Sequence, residues 1–231
     1  MLQEAEGLRV RRREPAINAP WVVTGLILAL IAAHGARVWT GMSLDPLAVT
    51  SQDFDHGGYA QFITYQFAHG SWAHVLMNSA FVLAFGAPVA RYFGEGGRGS
   101  LVFLVFFLVC GVLAAASYGG YLDLLAWLGR HPPPPWALVG ASGAASGLMG
   151  AAARLIQGHG RVGQLGGRTV VAMTLAWIGI NLVLGLSGLT PGAGAVPVAW
   201  QAHILGYFAG LLLIGPFGAL AGATRRHQPL P

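Results

Sequence analysis

The chain has 231 residues, enough for one domain of ordinary size. Hydrophobic residues make up 55% of it and charged residues only 9%, against about 25% charged in soluble domains. So few charges cannot clothe a water-soluble globule, and the bilayer is the expected solvent. The net charge of +5 does not point to nucleic acid, because the basic residues lie scattered between apolar runs. A phosphate backbone requires them in a stripe. All thirteen are Arg and none is Lys. Cys110 is the one cysteine, which rules out an intrachain disulfide. The first apolar run is too long for a secretory signal peptide and lacks a small-residue cleavage site.

A spanning helix needs about 20 mostly apolar residues. Six segments qualify, near 20–39, 73–93, 100–119, 137–157, 169–188 and 198–220. The expected fold is therefore an all-α membrane protein, a six-transmembrane-helix bundle. The sequence divides into an N-terminal segment, 1–18, the membrane domain, 19–221, and a tail, 222–231. The first connection, about 40–72, holds Asp45, Asp53 and Asp55 together with Phe54, Tyr59 and Phe62. Its aromatic residues suit a segment lying partly in the interface. The third span opens LVFLVFFLVCGVL and is the most apolar. The fourth, LVGASGAASGLMGAAA, is nearly all Gly, Ala and Ser. Such a helix gains little from lipid and more from close backbone packing, which places it at the bundle centre. The fifth connection, LTPGAGAVPV, is rich in Gly and Pro and is expected to be mobile.

Arginine placement orients the bundle. Arg9, Arg11, Arg12, Arg13, Arg91, Arg98, Arg154, Arg161, Arg168, Arg225 and Arg226 fall on one side of a six-span topology. Only Arg37 and Arg130 fall on the other. The positive-inside rule then makes both termini cytoplasmic. Short loops and this asymmetry suit a bacterial plasma (inner) membrane.

Strongly polar residues inside spans are costly, so each marks a candidate site. His74 and Asn78 stand near the start of the second span, Ser142 in the fourth and His203 in the sixth. Spans two, four and six all begin on the external side. At about 1.5 Å rise per residue, Ser142, His203 and Asn78 are expected roughly 9 Å below their helix starts. His74 lies one turn above Asn78 on the same face. Four polar side chains from three helices could share one layer, as a buried hydrolytic site requires.

The residue types fit that chemistry. A serine hydroxyl becomes a nucleophile when a base takes its proton, and neutral imidazole does this near physiological pH. The oxyanion that follows needs donors. Asn78, His74 and backbone N–H groups around Gly140–Ser142 can supply them. No Asp or Glu lies well inside a proposed span, so the paired carboxylates of an aspartyl intramembrane protease are missing. The H-E-x-x-H pattern is absent too. With Ala144 in the last glycine position, the G-x-S-x-G elbow of soluble hydrolases is not matched. A Ser-His dyad is the simplest arrangement, with no cofactor and no metal.

Taken singly, each residue has a plainer explanation. A Gly-Ala-Ser-Gly run packs helices, and a lone intramembrane His is usually a hydrogen-bonded structural residue. His34 is read in that way, and Ser146 as a packing residue. The functional reading rests on the coincidence of type, depth and side across three helices.

Three motifs carry a family resemblance, covering about residues 18 to 221. Gly140-Ala141-Ser142-Gly143 matches G-x-S-G. His74-Val75-Leu76-Met77-Asn78, with His69 before and Phe85-Gly86 after, matches H-x-x-x-N. Ala202-His203 through Gly206 to Gly210 matches A-H-x-x-G-x-x-x-G. Together and in order they resemble the rhomboid intramembrane serine proteases. The resemblance implies a rhomboid-like bundle with Ser142 as nucleophile and His203 as base. His74, Asn78 and the backbone at Gly140 would stabilise the oxyanion. It also implies transmembrane proteins as substrates, cut near small residues where a helix unwinds. Two departures touch loop architecture: Pro88-Val89-Ala90-Arg91 stands where many members carry a Glu, and the first connection lacks the Trp-Arg pair of some members. A catalytically inactive rhomboid-like chaperone or trafficking factor is the alternative, disfavoured by the presence of both Ser142 and His203. A small transporter would show repeated halves with broken helices, and no internal repeat is visible. The expected partners are transmembrane substrates and the lipid bilayer; the oligomeric state is not legible.

Overall fold

In the computed structural model, residues 19–129, 135–188 and 199–223 are described, apart from the side chains at 54 and 55. The N-terminal segment 1–18, Arg130, the fifth connection at 189–198, and Arg225 and Arg226 lie outside the described residues.

The chain is helical almost throughout. In order come α1 (Trp21–Thr40), strand β1 (Val49–Thr50), α2 (Ser51–His56), α3 (Gln61–Thr64) and a 3-10 turn at Tyr65–Phe67. Then follow α4 (Trp72–Phe93), α5 (Gly97–Trp127), strand β2 (Ala137–Leu138), α6 (Ser142–Gln157), α7 (Arg168–Ser187) and α8 (Trp200–Ala221). Among the described residues, five helices, α1, α4, α5, α7 and α8, are long and apolar enough to cross a membrane. Helix α6, with 16 residues, is shorter, about 24 Å.

Two boundaries differ from expectation for physical reasons. The third helix runs from Gly97 to Trp127 rather than 100–119, and so carries Asp123 near its end. The fourth begins at Ser142 rather than 137. Residues 137–138 are apolar and read as helix, but they pair as a strand with β1, Val49 opposite Leu138 and Thr50 opposite Ala137. Gly140 then turns the chain with φ 109°, a left-handed conformation that glycine adopts without steric cost. Ser142 is therefore at the very start of its helix, not two turns into it.

Helix α6 sits at the centre, packed against α8, α4, α5 and α7. Its closest partner is α8, and glycines make the approach. A Cβ on Gly206 would collide with the carbonyl oxygen of Gly143, and one on Gly210 with that of Gly147. On the other side, a Cβ on Gly150 would strike the Tyr207 carbonyl. Without side chains at these positions the two backbones touch, which is how small residues hold membrane helices together.

The first connection is folded. Thr50 and Asp53 form a capping box on α2. The Tyr65 hydroxyl donates to the Gly111 carbonyl at 2.7 Å, and Gln66 Nε2 donates to the Phe62 and Leu108 carbonyls at 3.0 and 3.2 Å. Both anchors are buried. They tie the connection to α5, and through β1 they hold the strand that leads into Ser142.

Candidate active site

Three helices deliver their N-terminal ends to one place. Ser71 caps α4 by accepting the N–H of His74 at 3.1 Å, so the helix starts firmly just before His74. Ser142 is the first residue of α6, and His203 the fourth of α8. Across the glycine seam, Ser142 Oγ and His203 Nε2 are 2.9 Å apart, within hydrogen-bond range. The seam explains that distance: a side chain at Gly206 would push the two helices apart, and one at Gly143 would press on Ala114 of α5.

Above this pair lies a cavity of about 280 Å³ lined by Ser142, His203, His74, Asn78 and Gly140 among largely apolar neighbours such as Met77, Phe81 and Trp177. A concave apolar pocket with a few convergent polar groups is the usual form of a small-molecule or peptide site. Asn78 is 5% exposed, and its Nδ2 is buried without a hydrogen-bond partner. A buried amide donor left unpaired costs free energy in the resting protein, so its orientation asks for an acceptor.

Gly140 is placed differently from expectation. Its N–H donates to the Tyr65 carbonyl at 2.8 Å and is not free to face an oxyanion. Gly140 provides room instead: a Cβ there would stand 2.6 Å from His74 Nε2 and 3.4 Å from Asn78 Nδ2. The free donor at this turn is the N–H of Ser142, which as the first helical residue has no carbonyl in its own helix to bond. The next N–H back, at Ala141, donates to His69 Nε2 at 3.4 Å.

His69 is fully buried in the connection before α4. Burial first, and then the charge of nearby His74, push its pKa down to about 3, so it stays neutral. Its Nδ1 donates to the Phe67 carbonyl at 3.3 Å, leaving Nε2 as acceptor for Ala141. The backbone of His69 in turn accepts from His34 Nδ1 at 3.0 Å. His34 is thus a buried hydrogen-bonded residue away from Ser142. Ser146 is buried too, and its Oγ donates to the Ser142 carbonyl at 2.7 Å, with no base beside it.

The structure brings together Ser142, His203, His74 and Asn78, with Gly140 at their edge. It adds a residue that sequence reasoning passed over: Asn181 of α7, whose Oδ1 is 2.9 Å from His203 Nδ1. The signal was available, since Asn181 is a strongly polar residue inside an apolar run, as Asn78 is.

No curated protein matches the chain. Residues 56–219, well over half of it, match the family model of the Rhomboid domain. That stretch runs from the end of α2 through nearly all of α8 and so takes in every helix that faces the cavity. Its five long apolar helices make the chain an integral multi-pass membrane protein, and by this match it belongs to the rhomboid family.

Proposed function

We propose that this protein is an intramembrane serine endopeptidase that hydrolyses peptide bonds in or near transmembrane helices through a Ser142–His203 dyad. The observation that carries the proposal is the 2.9 Å contact between Ser142 Oγ and His203 Nε2 in the wall of a cavity also lined by Asn78, whose buried Nδ2 is an unpaired donor. In this reading Oγ attacks the scissile carbonyl as Nε2 takes its proton. The oxyanion lies against Asn78 Nδ2, the His74 ring and the Ser142 N–H at the positive end of α6. His203 passes the proton to the leaving amine. Water then enters and attacks the acyl carbonyl as His203 takes its proton, and that proton goes to Oγ as the acyl C–O bond breaks and the acid product leaves. Tyr65 and His69 hold the turn at Gly140 in place from behind.

The topology proposed with this chemistry has six spans, α6 being the fourth in chain order and joining the five long apolar helices, with both termini in the cytoplasm of a bacterial cell. The N-terminal ends of α4, α6 and α8 then face outward, and the cavity opens to external water. A substrate helix hides its carbonyls in its own hydrogen bonds and must unwind to be attacked. Cleavage is therefore expected near the external end of a substrate span, at a small residue beside a helix-weakening Gly or Pro.

A fluorophosphonate probe on the purified full chain tests the chemistry. Labelling of the native protein and none of Ser142→Ala is the expected result. An unreactive native protein that still binds client helices would replace the protease with the non-catalytic reading. Mass spectrometry of cleaved products tests the orientation, since a scissile bond in the cytoplasmic third of substrate spans is incompatible with it.

A further inference from the structure

Asn181 has a fixed orientation. It is 2% exposed, and its Nδ2 donates to the Trp177 carbonyl, one turn back on α7, at 2.9 Å. A carbonyl oxygen only accepts, so the amide nitrogen must lie there and Oδ1 must face His203. That oxygen also only accepts. At 2.9 Å from Oδ1, His203 Nδ1 must therefore carry the ring hydrogen. In a neutral imidazole the other nitrogen then bears the lone pair. That nitrogen is Nε2, which faces Ser142 Oγ. The Trp177 carbonyl thus sets the tautomer of His203 through one rigid amide.

We infer that Asn181 is a positioning residue that holds His203 in the one tautomer able to take a proton from Ser142. The inference rests on reading Ser142 and His203 as the dyad. It extends that dyad to a Ser-His-Asn relay in which the base is oriented by a third group, an arrangement that recurs on unrelated folds with other nucleophiles. A merely structural amide would be satisfied by its own helix and leave Oδ1 to any neighbour. Here Oδ1 crosses to another helix and meets the nitrogen whose protonation decides whether the base works. Asn181 is also the one polar residue among those buried on α7. With an apolar side chain in its place, Nδ1 loses its acceptor. The tautomer with hydrogen on Nε2, which can only donate to Ser142, then gains population.

The test uses the full chain in lipid nanodiscs and two readouts. Nitrogen-15 NMR of the His203 imidazole above neutral pH should show hydrogen on Nδ1 in the native protein and a shift toward hydrogen on Nε2 in Asn181→Leu. Fluorophosphonate labelling of Asn181→Leu should slow by about tenfold to a hundredfold, as expected for one lost orienting hydrogen bond, with KM for a helical substrate unchanged. Asn181→Asp keeps the acceptor and should restore labelling to within about fivefold of native. Hydrogen on Nε2 in the native protein, or native labelling by Asn181→Leu, overturns the inference. Should Asn181→Leu not fold, the native spectrum and Asn181→Asp decide it. Failure of the native protein to label would sink the protease reading instead, and the imidazole spectrum would still judge Asn181.

Discussion

Helices α6 and α7 are neighbours built on opposite terms. Most of α6 is buried, eleven of its sixteen residues, while α7 buries only Val170, Trp177 and Asn181 of its twenty. Yet α7 is readily recognised as a spanning helix and α6 is not. Hydropathy reports what a helix shows to lipid. Helix α7 needs Leu175, Val183 and Leu186 on its outer face, all well exposed. Helix α6 is surrounded by protein and needs Gly and Ala to let its neighbours in. Ser142 stands on the most buried helix, where its position is fixed by backbone packing. Asn181, the partner of His203, stands on the least buried of the long helices, anchored by few buried side chains.

The largest expected effect isolates the chemistry from the packing. Ser142→Ala and His203→Ala should each abolish cleavage of a transmembrane substrate while the fold survives, because each removes an atom of the 2.9 Å pair and neither is part of the glycine seam. Residues acting as a unit are non-additive, so the double variant should match either single one. Ser146→Ala should keep substantial activity, its hydroxyl being spent on a backbone carbonyl. A dead Ser146→Ala beside an active Ser142→Ala would reassign the nucleophile.

Next comes the contrast itself. Gly147 faces Cys110, and the carbonyl of Gly206 lies 3.2 Å from where its Cβ would be. Gly147→Leu should destabilise the bundle by at least about 2 kcal/mol, since overpacking a close-packed interior costs of that order. Leu175→Ala on the lipid face of α7 should change stability by no more than about 0.5 kcal/mol. Reversible unfolding in mixed micelles measures both. Equal effects would mean that α7 contributes as much to the core as α6.

Asn78→Ala should then lower turnover by about 10²–10³, the usual effect of losing one oxyanion donor. Stability should hold, because its Nδ2 bonds nothing in the resting protein. His74→Ala should behave alike. Native turnover in both, at equal expression, would remove them from the site.

Much of this was legible in the sequence, for a physical reason. Polar side chains are expensive in a membrane helix, so His74, Asn78, Ser142 and His203 stand out against the apolar runs. What was not legible is non-local. Residues 137–138 read as helix because they are apolar, and only the pairing with Val49 and Thr50 makes them a strand. The depth expected of Ser142 failed with that boundary. Asn78 does stand nearly two turns into α4, but Ser142 opens its helix and His203 is the fourth residue of its own, so the site forms where three helix starts converge. Likewise the Gly140 N–H looked free until Tyr65, far away in the chain, supplied its acceptor.

The smallest predicted effect concerns the link between these two levels. His69 acts at one remove from Ser142 and His203: its Nε2 accepts from Ala141, the residue joining Gly140 to Ser142. Its neutral state is what makes that bond available, and burial, by pushing its pKa down to about 3, keeps it neutral near physiological pH. In His69→Phe the ring volume is roughly kept and the acceptor is lost, leaving the Ala141 N–H buried without a partner. Such a donor costs about 1–3 kcal/mol, which the turn can relieve only by tilting its peptide planes. The Ser142 N–H follows in the same turn, so the tilt falls on an oxyanion donor. Turnover should drop by about tenfold with KM little changed, the mark of an interaction felt in the transition state more than in substrate binding. His69→Gln, which can place an acceptor near the same point, should recover part of the loss. If His69→Phe instead raises KM and leaves kcat alone, the turn serves substrate entry, and the backbone between Gly140 and Ser142 is not part of the oxyanion site.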